Sequence, residues 1–285
     1  MYYLGKDMTS EPGTSNRIKG EWLEREGCFS NDFNTLVAKL RVASGIHRLQ
    51  VEELGSVQGK PILLISPQEP SDGPRVLIAG GFHGDESAGS WGILRFLESI
   101  TDYPTAFRLS FLPLVNPTGF ESIRRTNHLG QDPNRGYYHT KSGIPEPSEE
   151  GLILLGQLSR IKTLARDIFL SLHEDWEFTK FYIYSFEDSI GPGPFSQVLQ
   201  SAERRYFDPY PDGPLEGGAV KDGIIFRLCD GSFEDMLFHS GVPMTACTET
   251  PGKLDLDRRI DANSFIIQQV GRFALSLTNN SDSQR

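Results

Sequence analysis

Short apolar runs alternate with stretches of helical spacing along most of this chain. Phe33, Leu36, Val37 and Leu40 recur at the helical period and predict a helix over 33–40. Residues 48–53 and 61–66 read as two strands joined across Gly55–Gly59, a hairpin signal. The run from Arg75 to Ala79 reads as a buried strand, and Gly80, Gly81 and Gly84 give its exit a sharply turning backbone. A helix follows over 87–99, with Ile93, Leu94, Phe96 and Leu97 on its apolar face. Residues 108–115 form another strand, stopped by Asn116-Pro117. Residues 121–147 are polar and rich in Gly and Pro, and a loop of that length in a compact domain points to function. Ser148 caps a helix running to about Ala165. Strands are then expected over 167–173, 181–186 and 243–249, with helices over 195–206, 232–240 and 257–277.

Strands alternating with helices imply an α/β fold, a single domain with a mixed, mostly parallel central sheet and helices on both faces. The boundaries read as an irregular N-terminal segment over 1–30 with a helix near 20–26, one folded domain over 31–278 and a disordered tail over 279–285. The 285 residues suffice for a sizeable core, and 38% apolar with 23% charged composition excludes fibrous and disordered classes. The net charge of -10 repels phosphate backbones, so nucleic acid is not an expected partner. No window reaches the length of a membrane span, and the first sixteen residues lack the basic-then-apolar pattern of a signal peptide. Cys28, Cys229 and Cys247 are too few and too widely spaced for a disulfide framework. Together these features point to the cytoplasm.

Three apolar strands end on chemically active residues: His83, His173 and Glu249. Ligands of open α/β sheets bind beyond the carboxyl ends of the strands, so residues far apart in sequence can converge there. His83 and Glu86, three apart on a turn entering a helix, can reach one ion, and imidazole with carboxylate suits zinc, cobalt or manganese. The polar loop holds Arg125 and Arg135, whose planar forks of donors suit carboxylates and oxyanions. Glu249, followed by Thr-Pro-Gly, caps a turn or, beside a metal-bound water, serves as a general base.

Taken in order, His83-x-x-Glu86, Asn116-Pro-Thr-Gly119, Arg125, Asp132-x-Asn134-Arg135, His173 and Glu249 resemble the zinc metallocarboxypeptidases of the carboxypeptidase A type. The likeness covers about Phe33 to Phe273 and includes an early hairpin at 54–62. It implies one Zn2+ per chain on His83, Glu86 and His173, with Asp132 bonded to the first histidine. It implies Arg125 as polariser of the scissile carbonyl, Asn134 and Arg135 as the clamp for a substrate carboxylate, and Glu249 as base. The family's mobile tyrosine is missing: alignment on Gly231-Ser232 puts Phe226 there, and Tyr137, Tyr138, Tyr206 and Tyr210 are candidates to replace it. Phe233 falls where the family sets side-chain specificity, implying an apolar floor, although Glu234 and Asp235 beside it would favour a basic group.

The implied activity is hydrolysis of an amide bond next to a free carboxylate, in peptides or peptidoglycan stem peptides. The alternative is an N-acyl amino acid deacylase of the aspartoacylase or succinylglutamate desuccinylase type, which shares the ligand pattern. A non-catalytic binding module on the same fold is the third reading. The partners are a small peptide or an acyl amino acid.

Overall fold

The computed structural model describes residues 31–68, 72–101, 103, 108–137 and 146–282. The expected segment 1–30 with its helix, Cys28 and Tyr138 lie outside them. The first strands and helices are α1 (Phe33–Ile46), β1 (Leu49–Val57), β2 (Lys60–Pro67), β3 (Arg75–Gly80), α2 (Ser87–Ser99), β4 (Arg108–Leu112) and α3 (Pro117–Ser122). There follow α4 (Glu149–Gly156), α5 (Leu158–Leu164), β5 (Ile168–Asp175), β6 (Tyr182–Glu187), α6 (Pro194–Glu203), β7 (Gly213–Leu215), β8 (Gly218–Lys221) and β9 (Ile224–Phe226). The chain closes with α7 (Phe233–His239), β10 (Met244–Pro251) and α8 (Leu256–Asp282).

One ten-stranded sheet runs in the order β1-β2-β4-β3-β5-β10-β6-β9-β8-β7. Its centre, β4-β3-β5-β10, is parallel, as a series of strand–helix–strand crossovers requires. Both margins are hairpins and therefore largely antiparallel. The central strands read as continuous apolar runs because both faces are covered. On β3, Val76 and Ile78 enter one core with α1, α2 and α8, while Leu77 and Ala79 enter the opposite core with α4, α5 and α7.

Several boundaries differ from expectation. The predicted helix over 148–165 breaks into α4 and α5 at Gly156-Gln157, where glycine weakens the helix and Gln157 leaves the helical region at φ -108°. The helix α8 runs to Asp282, through residues expected to begin a disordered tail. Strands β7 to β9 were missed because each has only three or four residues. Their turns carried a signal: Glu216-Gly217 and Asp222-Gly223, like Gln58-Gly59 between β1 and β2, pair positive φ at both central residues in two-residue hairpin loops.

Among the described residues, no helix is long and apolar enough to cross a membrane.

Candidate active site

The parallel core sets the site. His83 follows β3, and His173 and Glu249 lie directly opposite one another on the paired strands β5 and β10. On the other side of β10, Glu249 faces Tyr182 of β6. Residues opposite each other in register share a face, so His173, Glu249 and Tyr182 project to the same side.

The turn His83-Gly84-Asp85-Glu86 is held by a second turn. A Cβ on Gly84 would lie 1.9 Å from the carbonyl carbon of Gly119, so only glycine lets the Asn116-Pro117-Thr118-Gly119 turn pack backbone to backbone against it. Asn31 bridges the two by donating to the carbonyls of Gly84 (3.1 Å) and Phe120 (2.7 Å). Gly84 therefore serves close approach rather than a sharp bend; of the three glycines expected to bend the chain, Gly81 takes positive φ (63°).

His83, Glu86 and His173 are all buried, and their ligand atoms lie within 4.8 Å of one another. The Nδ1 atoms of the two histidines face each other at 3.1 Å. Glu86 bridges them, Oε1 at 2.8 Å from His83 Nδ1 and Oε2 at 2.8 Å from His173 Nδ1. His83 Nε2 meets Asp132 Oδ1 at 3.1 Å, a contact that places the ring proton on Nε2 and leaves the Nδ1 lone pair facing the centre. Two imidazole nitrogens and a carboxylate converging at this distance suit a cation, and N/O donors of this kind fit zinc and neighbouring divalent metals.

The electrostatics agree. Burial alone would lower the His83 pKa, but Glu86 and Asp132 raise it to about 9. Burial opposes ionisation of Glu86, yet His83 and His173 hold its carboxyl well below the usual range. The group is built around positive charge, and a bound divalent ion would supply it in place of protons.

Around this centre, Arg125 is half-exposed, with one fork nitrogen 3.4 Å from Glu86 and the other 3.3 Å from Asp132. Asp132 also accepts from the Asn134 backbone N–H (2.8 Å). Arg135 lies 3.2 Å from Asp230. Asn134 is buried; its amide donates to Glu234 at 3.2 Å and its oxygen accepts from the Phe233 N–H at 3.0 Å. Glu249 is partly buried, and burial together with Glu86 and Asp175 pushes its carboxyl up, opposed by Arg125. All these side chains except Asp132 line one cleft of about 370 Å³, at the small end for ligand pockets.

Two of the expected residues lie outside the cleft lining. Phe233 is fully buried between Phe82, Tyr137 and Phe169 and does not line the cleft. The helix phase of α7 turns its neighbour Glu234 to the cleft instead, while Asp235 is buried against the helix start. Phe226 ends β9 under the guanidinium of Arg227 and is likewise absent from the cleft lining. Of the candidate tyrosines, Tyr137 donates to the Pro133 carbonyl from within the core, Tyr206 packs on Phe265, and Tyr210 on Phe178.

Sequence reasoning missed Tyr182 and Tyr184, which line the cleft and donate to Asp175 and Glu216, each at 2.7 Å. The period-two alternation of Tyr182-Ile183-Tyr184 was the available signal. It also missed Glu174, fully buried, ion-paired with Arg259 and accepting from the Ala88 N–H (2.8 Å). Its own backbone N–H donates to Glu86 (3.2 Å). Nothing local in sequence marks that pair.

Residues 72–179 match the family described as succinylglutamate desuccinylase/aspartoacylase catalytic domain. A protein described as a "putative metallopeptidase" from Shewanella amazonensis SB2B is 37% identical, with 84% of this chain and 92% of that one covered and a TM-score of 0.78. Another so described, from Shewanella denitrificans OS217, is 41% identical, with 84% and 89% covered and a TM-score of 0.78. The chain belongs to the zinc carboxypeptidase-like family. Murein-tripeptide amidase MpaA from Escherichia coli O157 shares the fold of this carboxypeptidase-like chain at 18% identity and a TM-score of 0.56, over 81% of this chain and 94% of that one. No curated protein matches the sequence. Membership makes the chain a hydrolase, and the metallopeptidase relatives imply a metal cofactor, for which the buried His/Glu/His group is suited.

Proposed function

We propose that this chain is a zinc-dependent hydrolase that cleaves an amide bond next to a free carboxylate, acting on small peptides. The observation that carries the reading is the convergence of His83, Glu86 and His173 on one point, with Glu249 opposite His173 and two arginines at the same cleft. A zinc ion on those three residues would supply Lewis-acid charge and lower the pKa of its bound water toward neutrality.

The chain's own groups divide the remaining work. Glu249 takes a proton from the attacking water and returns it to the leaving amine. Arg125 leaves Glu86 and Asp132 to stabilise the developing oxyanion, which its half-exposed fork can reach. Asp132 holds the His83 ring in orientation. Arg135, with Asn134 beside it, receives the substrate carboxylate, which takes the place of Asp230 on the guanidinium. Glu216, Asp230 and Glu234 line the same cleft and favour a basic side chain on the substrate.

A second reading, deacylation of N-acyl amino acids, is favoured by the match of residues 72–179 to the desuccinylase/aspartoacylase catalytic domain. Both readings place a carboxylate on Arg135. The test compares a dipeptide panel, N-acetyl and N-succinyl amino acids, and the carboxyl-amidated form of each. Cleavage of free-acid dipeptides and loss of cleavage on amidation support the peptidase; preference for acyl amino acids selects the deacylase. Equal cleavage of acid and amide forms would sink the clamp and both readings with it.

A further inference from the structure

A second group of metal-binding donors lies outside the buried centre. Cys229, Asp235 and His239 offer a thiol sulfur, a carboxylate oxygen and a ring nitrogen, all within 4.8 Å of one another. The loop after β9 delivers Cys229 to the surface, while Asp235 and His239 stand four apart on α7, one turn along the same face.

Helix capping accounts for only part of this arrangement. Ser232 caps α7 by accepting from the Asp235 N–H (3.4 Å), and Asp235 Oδ2 accepts from the Gly231 N–H (3.0 Å). The other oxygen, Oδ1, is buried and accepts no hydrogen bond. It lies 2.8 Å from His239 Nδ1, but that nitrogen is aligned with the Asp235 backbone carbonyl at 2.9 Å. A buried carboxylate oxygen that makes no hydrogen bond is costly, and a cation shared with His239 lowers the cost.

We propose that Cys229, Asp235 and His239 form a second, surface-accessible site for a transition-metal ion. Thiolate, imidazole and carboxylate together select zinc, cobalt, nickel or copper over magnesium and calcium, which prefer oxygen. Binding converts the Cys229 thiol to thiolate and releases its proton to solvent. Three protein donors near the surface leave a position for water, so the ion is more exchangeable than one in a closed four-ligand site. Cys229 directly precedes Asp230, the acid that holds Arg135 at the cleft, and the site is independent of the hydrolytic assignment.

The test starts from protein loaded with one equivalent of zinc and titrates cobalt(II). A near-ultraviolet thiolate-to-cobalt charge-transfer band should grow to one equivalent and be lost in Cys229→Ser. In parallel, alkylation of Cys229 by iodoacetamide, read on its own peptide by mass spectrometry, should slow about tenfold when cobalt is present. That protection should vanish in His239→Gln, whose side chain is partly exposed. A band undiminished in Cys229→Ser, or alkylation of Cys229 at the same rate with and without cobalt, would overturn the proposal.

Discussion

Glu203, the last residue of α6, is fully buried, and neither carboxylate oxygen has a hydrogen-bond partner. Burial pushes its pKa from 4.5 up to about 8. The folded chain therefore keeps a proton that the unfolded chain releases once the pH exceeds 4.5. The stability associated with this group is fully present below pH 4.5 and is lost as the pH rises through about 8. At 1.36 kcal/mol per pH unit between the two values, the loss is about 1 kcal/mol at pH 5, about 3 at pH 7 and about 5 by pH 9. Glu203→Met keeps an unbranched side chain of similar length and removes the titration. Urea unfolding of both proteins at pH 5, 7 and 9 gives the difference directly, because metal release and every other titration are common to the two. The methionine variant should gain on the wild type by about 4 kcal/mol between pH 5 and 9. A difference that stays flat, or one that shrinks as the pH rises, refutes the picture of a neutral carboxyl in an apolar setting.

Other perturbations probe the site. Glu249→Gln should abolish turnover and leave metal content unchanged; a variant retaining more than about a hundredth of wild-type kcat removes Glu249 as base. Gly84→Ala drives a Cβ into the Gly119 backbone, so metal affinity should fall about tenfold or more as the two turns separate; competition with a chelator reads this out, and unchanged affinity means the turns do not depend on each other. Arg259→Leu leaves Glu174 buried without its partner and should cost about 3–5 kcal/mol in urea unfolding; a cost under about 1 kcal/mol means that water replaces the guanidinium. Asp230→Asn frees Arg135, so KM for free-acid substrates should fall several-fold with kcat little changed; a raised KM would instead make Asp230 part of the substrate site.

The parallel core was legible because buried strands advertise themselves as apolar runs, and the residues that end them, His83, His173 and Glu249, stood out as polar interruptions. Their convergence follows from the topology of parallel strands. Which residue of α7 faces the cleft was not legible: Phe233 and Glu234 are neighbours on a helix, about 100° apart, and sequence does not give the phase at which a seven-residue helix meets a cleft. The short strands β7 to β9 were hidden by their length, although two X-Gly turns marked them. Glu174 and Arg259 lie 85 positions apart, and their pairing exists only once α8 docks against β5. The unsatisfied oxygen of Asp235 and the isolated carboxyl of Glu203 likewise appear only in three dimensions, since in sequence both are ordinary acidic residues on amphipathic helices.

Metal content per chain, measured by elemental analysis on wild type and on the His83→Ala, His173→Ala double variant, with hydrolysis of the free-acid dipeptide panel followed on the same samples, tests the central claim most directly. The account predicts that the double variant loses one equivalent of zinc and all hydrolysis, while Cys229→Ser keeps both. A double variant that retains the full metal content of the wild type, or that still hydrolyses the panel, would contradict the assignment of the buried His83, Glu86 and His173 group as the catalytic metal centre.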